Sequence, residues 1–277
     1  MKGPKTRVGR VSEATSEASL SNLIPALNVR SPYSSRMSAR SALYTDLQLL
    51  LDGREDALTA AEYRKSVIVD NCLSRQSIAS RQKAWAELRK RYPLDKHSPL
   101  FNAFWKEWRR CRSEQEQALT AYILLALYDL LVAELGIEWL SPYLRRAPLE
   151  LRVDDLRAFI AQKGRSNHPE VSEWTESTRH KIAKHFLASV RDFGLACGTT
   201  KKISIHPALY GAPVRLIIRA LRLARVSDLD ILNSSIFRLI ALEGAEVVDA
   251  LGELNQRGEL RFRMQADVVE LEVGGAA

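Results

Sequence analysis

Ala118-Leu119-Thr120-Ala121-Tyr122-Ile123-Leu124-Leu125-Ala126-Leu127-Tyr128-Asp129-Leu130-Leu131-Val132-Ala133-Glu134-Leu135 comes nearer to a membrane span than any other stretch of the chain. Asp129 and Glu134 interrupt it, and the uninterrupted part falls short of the roughly 20 apolar residues that a bilayer requires. The run therefore reads as the buried central helix of a globular protein, and no membrane partner is expected.

Helical periodicity continues on both sides. Upstream, Ala42 to Leu51, Ala60 to Asp70, Ser77 to Arg91 and Leu100 to Arg112 read as helices, and the central helix runs from Glu114 to Leu135. Gly53, Pro93, Pro99, Gly136, Pro142 and Pro148 punctuate them, and Val153 to Gln162 follows. Residues 1 to 34 hold glycine, proline, serine and a few basic residues without period, as a mobile basic arm does. Lys163-Gly164-Arg165-Ser166-Asn167-His168-Pro169 is polar and separates two periodic regions, which predicts a domain boundary. The first domain is then all-helical over 35–164 and the second covers 165–277.

In the second domain a long helix, Thr175 to Phe193, stops at Gly194. Lys201 to Ile205 alternates as a short strand, Pro213 opens a helix to Leu223, and shorter helices follow at Ser227 to Leu232 and Ser234 to Leu242. Glu246 to Asn255 reads as a helix closed by Gly258, and Leu260 to Met264 and Val268 to Val273 as two strands. Helix, turn and terminal hairpin predict a winged-helix-like domain in which the 201–205 strand completes a three-stranded sheet. The fold class is mainly α.

With 277 residues, 46% hydrophobic, the chain can bury substantial cores. Its net charge of +8 is uneven, because residues 64–112 hold 13 Lys or Arg against Asp70, Glu87, Asp95 and Glu107, leaving the remainder near neutrality. A basic block on a neutral body implies a polyanionic partner. Cys72, Cys111 and Cys197 lie far apart without a neighbouring Cys or His, the usage of a reducing cytoplasm with neither a disulfide framework nor a zinc site. No apolar run follows the basic amino terminus, so no secretory signal is expected and the location is predicted to be cytoplasmic.

One pattern occurs twice. Ser77-Ile78-Ala79-Ser80-Arg81-Gln82-Lys83 and Thr175-Glu176-Ser177-Thr178-Arg179-His180-Lys181 each open an amphipathic stretch. The hydroxyls suit a helix start that caps its own first turn and donates to phosphate, with basic residues adding charge. On helical wheels Ile78, Trp85, Leu88 and Tyr92 form the first apolar stripe, and Ile182, Ala183, Phe186 and Val190 the second. Arg81 and Arg179 fall inside these stripes and are expected to brace their helices. Lys83 and Lys90 point away from the first, and Ser177, Lys181, Lys184 and Arg191 away from the second. These residues, with Ser77, Ser80 and Thr178, are the candidate phosphate contacts. Arg261 and Arg263 alternate along the predicted hairpin and could enter a groove as a wing. Phe101, Phe104, Trp105 and Trp108 interleave with Lys106, Arg109, Arg110 and Arg112, but their spacing is that of a helix packed on a core.

Catalytic constellations are absent from the pattern. His97, His168, His180, His185 and His206 are scattered, the five-residue spacing of His180 and His185 places the rings on different helix faces, and no Gly-rich phosphate loop or nucleophile elbow appears. No metal, cofactor or enzymatic activity is expected.

Asp70-Asn71-Cys72-Leu73 leading into Ser77 to Lys83, then Glu87-Leu88-Arg89-Lys90-Arg91-Tyr92, resembles the BrxA family of bacteriophage-exclusion (BREX) defence systems. So do Trp174-Thr175-Glu176-Ser177-Thr178-Arg179 with Asp192-Phe193-Gly194-Leu195, and the closing passage Leu251 to Leu260, over about Ser38 to Val273. The resemblance implies a non-enzymatic, two-domain, mostly helical protein that binds DNA and acts beside a methyltransferase, an ATPase and other defence components, and the basic block, the two repeats and the terminal wing make double-stranded DNA the leading expectation. Two other readings compete: a scaffold subunit docking on an acidic protein, and an RNA-binding factor like the antiterminator NusB, to which the family has been likened.

Overall fold

The computed structural model describes residues 33–166, 168–265 and 268–274. Hydroxyl side chains start many of its helices. Thr59 caps α2 (Ala60–Ile68) in a reciprocal box with Glu62, Ser77 caps α3 (Ile78–Arg91), Ser98 caps α4 (Pro99–Trp108) with Pro99 in the first turn, and Ser113 caps α5 (Glu114–Tyr128). Ahead of them lie a short 3₁₀ turn, Ser35–Ser38, and α1 (Tyr44–Leu51).

The apolar run is buried, as its composition demands: every residue from Ala118 to Leu127 is shielded from solvent. It is not one helix. At Asp129 the backbone turns extended (φ −131°, ψ 111°) and the carboxylate accepts the Val132 N–H at 3.3 Å, capping a new helix, α6 (Leu130–Glu134). The two arms meet at a bend of 119°. The predicted continuous helix to Leu135 fails here because aspartate satisfies a helix start better than a helix interior. A π-helical segment, Leu135–Leu140, and α7 (Ser141–Arg145) continue the second arm. Gly136 permits the bend to close, since a Cβ there would collide with the buried Tyr122 hydroxyl and Leu239. Among the described residues no single helix is long and apolar enough to cross a membrane.

Beyond β1 (Glu150–Leu151) come α8 (Val153–Ser166), α9 (Pro169–Ser172) and α10 (Glu176–Asp192). α8 runs on to Ser166, four residues past its expected end at Gln162 and into the Lys163 to Pro169 stretch. Its polar groups have local partners: Lys163 Nζ reaches Glu134 at 2.9 Å and Glu138 at 2.6 Å, and the Ser172 hydroxyl donates to the Gly164 carbonyl at 2.7 Å. The His168 ring stacks on Tyr33 at 3.6 Å, and the Tyr33 hydroxyl donates to Glu134. Tyr33 is thus buried, while residues 1–32 of the predicted arm lie outside the described residues.

The chain ends with β2 (Ala196–Cys197), β3 (Lys202–Ser204), α11 (Gly211–Leu223), α12 (Asp228–Leu232), a 3₁₀ helix (Ser235–Ile240), α13 (Ala245–Gln256) and the antiparallel hairpin β4 (Arg261–Gln265) and β5 (Val268–Glu272). The mainly helical class therefore holds, with small sheets of three and two strands. The three-stranded sheet is assembled differently from the prediction: β3 lies between β1 and β2 and does not join the hairpin. Ser204 draws β3 toward β1, its N–H donating to the Leu149 carbonyl at 2.8 Å and its hydroxyl accepting the Leu149 N–H at 2.9 Å. The hairpin is held by helices, with Phe262 N–H on Asn255 Oδ1 at 3.0 Å and Leu271 N–H on Asp228 Oδ2 at 3.1 Å. α4, α5 and α11 pack on one another, and one hydrophobic cluster runs from Tyr33 to Leu271.

Burial pushes the Asp129 carboxyl above its usual range, against the opposing pull of the Val132 N–H, Arg36 and Arg91. A folded-state pKa above the unfolded one means the ionised carboxylate costs stability, a cost present at neutral pH and lost as pH falls below the unfolded value. Asp129→Asn keeps the capping acceptor and is expected to unfold at a urea midpoint no lower than wild type, its advantage shrinking toward pH ~4. Asp129→Ala is expected to lose about 1 kcal/mol. Equal losses in the two variants would show that the charge itself holds the bend.

Candidate nucleic-acid interface

The second repeat forms the first turns of α10. Thr175 caps it, accepting the Thr178 N–H at 3.1 Å, and the two threonine hydroxyls lie 2.9 Å apart, so Thr178 is engaged within the cap. Ile182, Ala183, Phe186, Leu187 and Val190 face the core. Ser177, His180, Lys181 and Lys184 are exposed on the opposite side, and Arg191 continues that strip half-buried, paired with Asp192 at 2.7 Å. Arg179 donates to the Trp174 carbonyl just before the helix and is half-buried.

Lys202 on β3 adds a cation that the motif did not reveal. Burial, with the like charges of Arg191 and Lys184, lowers its pKa from the usual lysine value, and its Nζ donates to the Thr199 carbonyl at 3.2 Å. The sequence offered a signal, since Lys201-Lys202 follows the repeat helix closely, but assigning that strand to the wing directed it elsewhere.

The first repeat differs. Ser77 and Ser80 form a reciprocal capping box, each backbone N–H donating to the other's hydroxyl at 3.2 Å. Ile78 is 62% exposed, so the apolar stripe of α3 begins at Ala84 and Trp85 rather than at Ile78. Arg81 reaches the Ile68 carbonyl at 3.1 Å. Lys83 is exposed, and Lys90 is paired with Glu87 at 2.8 Å.

A leading segment, residues 33–43, joins the two repeat helices. The Arg91 guanidinium at the end of α3 donates to the carbonyls of Ser41 at 2.7 Å, Arg40 at 2.8 Å and Arg36 at 3.4 Å, and pairs with Glu87 at 2.8 Å. The Tyr92 hydroxyl donates to the Ala42 carbonyl at 2.8 Å. From the other side, α10 holds the Ala42 N–H on the Ser189 hydroxyl at 2.8 Å and brings His185 Nδ1 to 2.7 Å from the Met37 carbonyl.

The basic block does not form one surface. Arg91 is internal, Arg75 pairs with Asp46 at 2.6 Å, Arg109 donates to the Arg54 carbonyl, and Arg110 lies 3.6 Å from Glu107. Long arginines at helix ends find backbone carbonyls and carboxylates before they find solvent. Phe101, Phe104, Trp105 and Trp108 are buried in the core. On the hairpin, Arg261 and Arg263 sit opposite Glu272 and Glu270 at 3.6 and 3.9 Å, which reduces the charge a wing could offer. No group of three or more His, Cys, Asp or Glu among the described residues is placed to hold a metal ion.

The model of one protein family, BrxA, matches residues 31–221, which include the leading segment, both repeats and β3. The chain belongs to the BrxA family. BrxA membership implies a protein of BREX phage defence. The matched region ends inside α11, so the expected continuation to Val273 and the hairpin lie beyond it. No curated protein matches the chain.

Arg91→Ala leaves Glu87 and three carbonyls without their buried partner, and is expected to cost about 3–5 kcal/mol in urea unfolding. Arg81→Ala, which removes half-buried hydrogen bonds, is expected to cost about 1 kcal/mol and to leave nucleic-acid affinity within about twofold. Unaltered stability with lost binding would make either arginine a direct contact.

Proposed function

We propose that this protein is a non-enzymatic, double-stranded DNA-binding subunit of its BREX system, working beside the methyltransferase and ATPase components. The observation that carries this reading is the run of Ser177, Lys181 and Lys184 exposed on the solvent side of α10, continued by half-buried Arg191 and joined by half-buried Lys202 on β3. From Ser177 to Arg191 the strip is about 21 Å long at 1.5 Å per residue, comparable to about six base pairs at 3.4 Å each. Side chains of this kind, without a shaped base-reading pocket, suit contacts to backbone phosphates that carry no sequence information. The two repeat helices, held by the leading segment, would present Lys83 as a secondary contact. The hairpin would act as a wing only after its arginines exchange glutamate for phosphate.

Four cations on phosphate would give a log–log salt slope of about −4, since each neutralised phosphate contributes about −0.9. Fluorescence anisotropy with random-sequence duplexes of about 30 base pairs should show weaker binding of Lys181→Glu/Lys184→Glu to every sequence, with the slope reduced by about two. An unchanged slope removes α10 from the interface. Intact DNA binding with lost assembly of the defence complex would instead make this face a protein-docking surface, and preference for structured RNA in competition would favour the antitermination-like reading.

A further inference from the structure

A half-open cleft of ≈ 630 Å³ lies where the α4–α5 turn, the start of α11 and the α13–β4 turn meet. That volume is within the ~300–1,000 Å³ typical of small-molecule sites. Its wall carries four arginines, Arg110, Arg112, Arg215 and Arg257, together with Tyr210. None of them belongs to the strip on α10.

The carboxylates of the wall already have partners. Glu116 accepts the backbone N–H groups of Arg112 at 2.8 Å and Ala212 at 3.1 Å, while Glu259 accepts from Arg215 at 2.7 Å. Behind them Arg215 also binds the fully buried Glu107 at 2.7 Å. Gly211 makes this floor possible, because a Cβ there would overlap the Glu259 carboxylate and the Arg215 guanidinium. Arg257 pairs with Glu253, and Arg110 donates to the Gly274 carbonyl at 3.0 Å. The Arg112 guanidinium has neither a hydrogen-bond acceptor nor an ion-pair partner among the described residues.

We propose that this cleft binds a phosphate monoester of nucleotide size, its phosphate on the unmatched Arg112 with Arg110 and Arg257 beside it and its base against Tyr210. Guanidinium forks match phosphate oxygens in pairs, and an aromatic ring offers a stacking face to any base. The same chemistry could come from a free nucleotide or from the 5′-phosphate at a nucleic-acid end.

Isothermal titration calorimetry of the full chain with AMP, ATP and inorganic phosphate tests this, alongside anisotropy with 5′-phosphorylated and 5′-hydroxyl duplexes. Saturable AMP binding at one site per chain is expected, weakened about tenfold or more in Arg112→Ala. Tyr210→Leu should weaken AMP but not inorganic phosphate. Because Arg112 is exposed, its replacement leaves the buried network in place, which a matching thermal melt verifies. Arg112-dependent preference for the 5′-phosphorylated duplex, without AMP binding, would assign the site to a nucleic-acid end. Failure of every phosphate probe to bind in an Arg112-dependent way overturns the proposal. Lys181→Glu/Lys184→Glu should retain AMP binding, so the result is independent of whether α10 contacts DNA.

Discussion

The Arg91 guanidinium, 2% exposed, is the point on which the arrangement of the two repeat helices depends. It donates to three carbonyls of residues 36–41 while pairing with Glu87 from its own helix. Such a buried charge tolerates no missing partner, so the leading segment has one position against α3. α10 then grips the same segment through Ser189 and His185. Two helices far apart in the chain are thereby tied by partly buried hydrogen bonds whose donors and acceptors are matched, each worth more than the exposed ion pairs elsewhere on the surface.

A second buried charge organises the other end of the molecule. Glu107, with no exposed surface, receives Arg215 and Arg219, both at 2.7 Å, and so fixes α4 against α11. The bend at Asp129 is the third element of this arrangement. By turning the second arm away from α5, it frees the apolar residues of both arms to pack on different neighbours, and the Lys163–Glu134 and Tyr33–Glu134 contacts then close α8 and the leading segment over that arm.

Much of this was legible in the residues. The helix starts expected at Ser77, Leu100, Glu114 and Thr175 and the Gly194 stop fell within a residue or two of their places because capping is local chemistry, while the ends expected at Arg112 and Leu135 came at Trp108 and Tyr128. The exposed side of α10 followed from the same periodicity. What was not legible depended on distant partners. Whether β3 pairs with β1 or with the hairpin is decided by Ser204 meeting Leu149, and Asp129 looks like a tolerated helical acid until Val132 is seen to need its cap. Lys202 joins Lys184 and Arg191 only through that strand placement. The charge count over 64–112 exaggerated the basic surface because Arg75, Arg91 and Arg110 find acids inside the fold.

Electrostatics therefore separates arginines held by acids and carbonyls from the exposed Lys181 and Lys184 of α10, where the proposed function puts duplex DNA. Lysine acylation footprinting by mass spectrometry, with and without a 30-base-pair duplex at low salt, tests that assignment residue by residue. Shielding of Lys181 and Lys184 with Lys106 on α4 still labelled is the result the account requires. Uniform labelling, or protection that avoids α10, would contradict it.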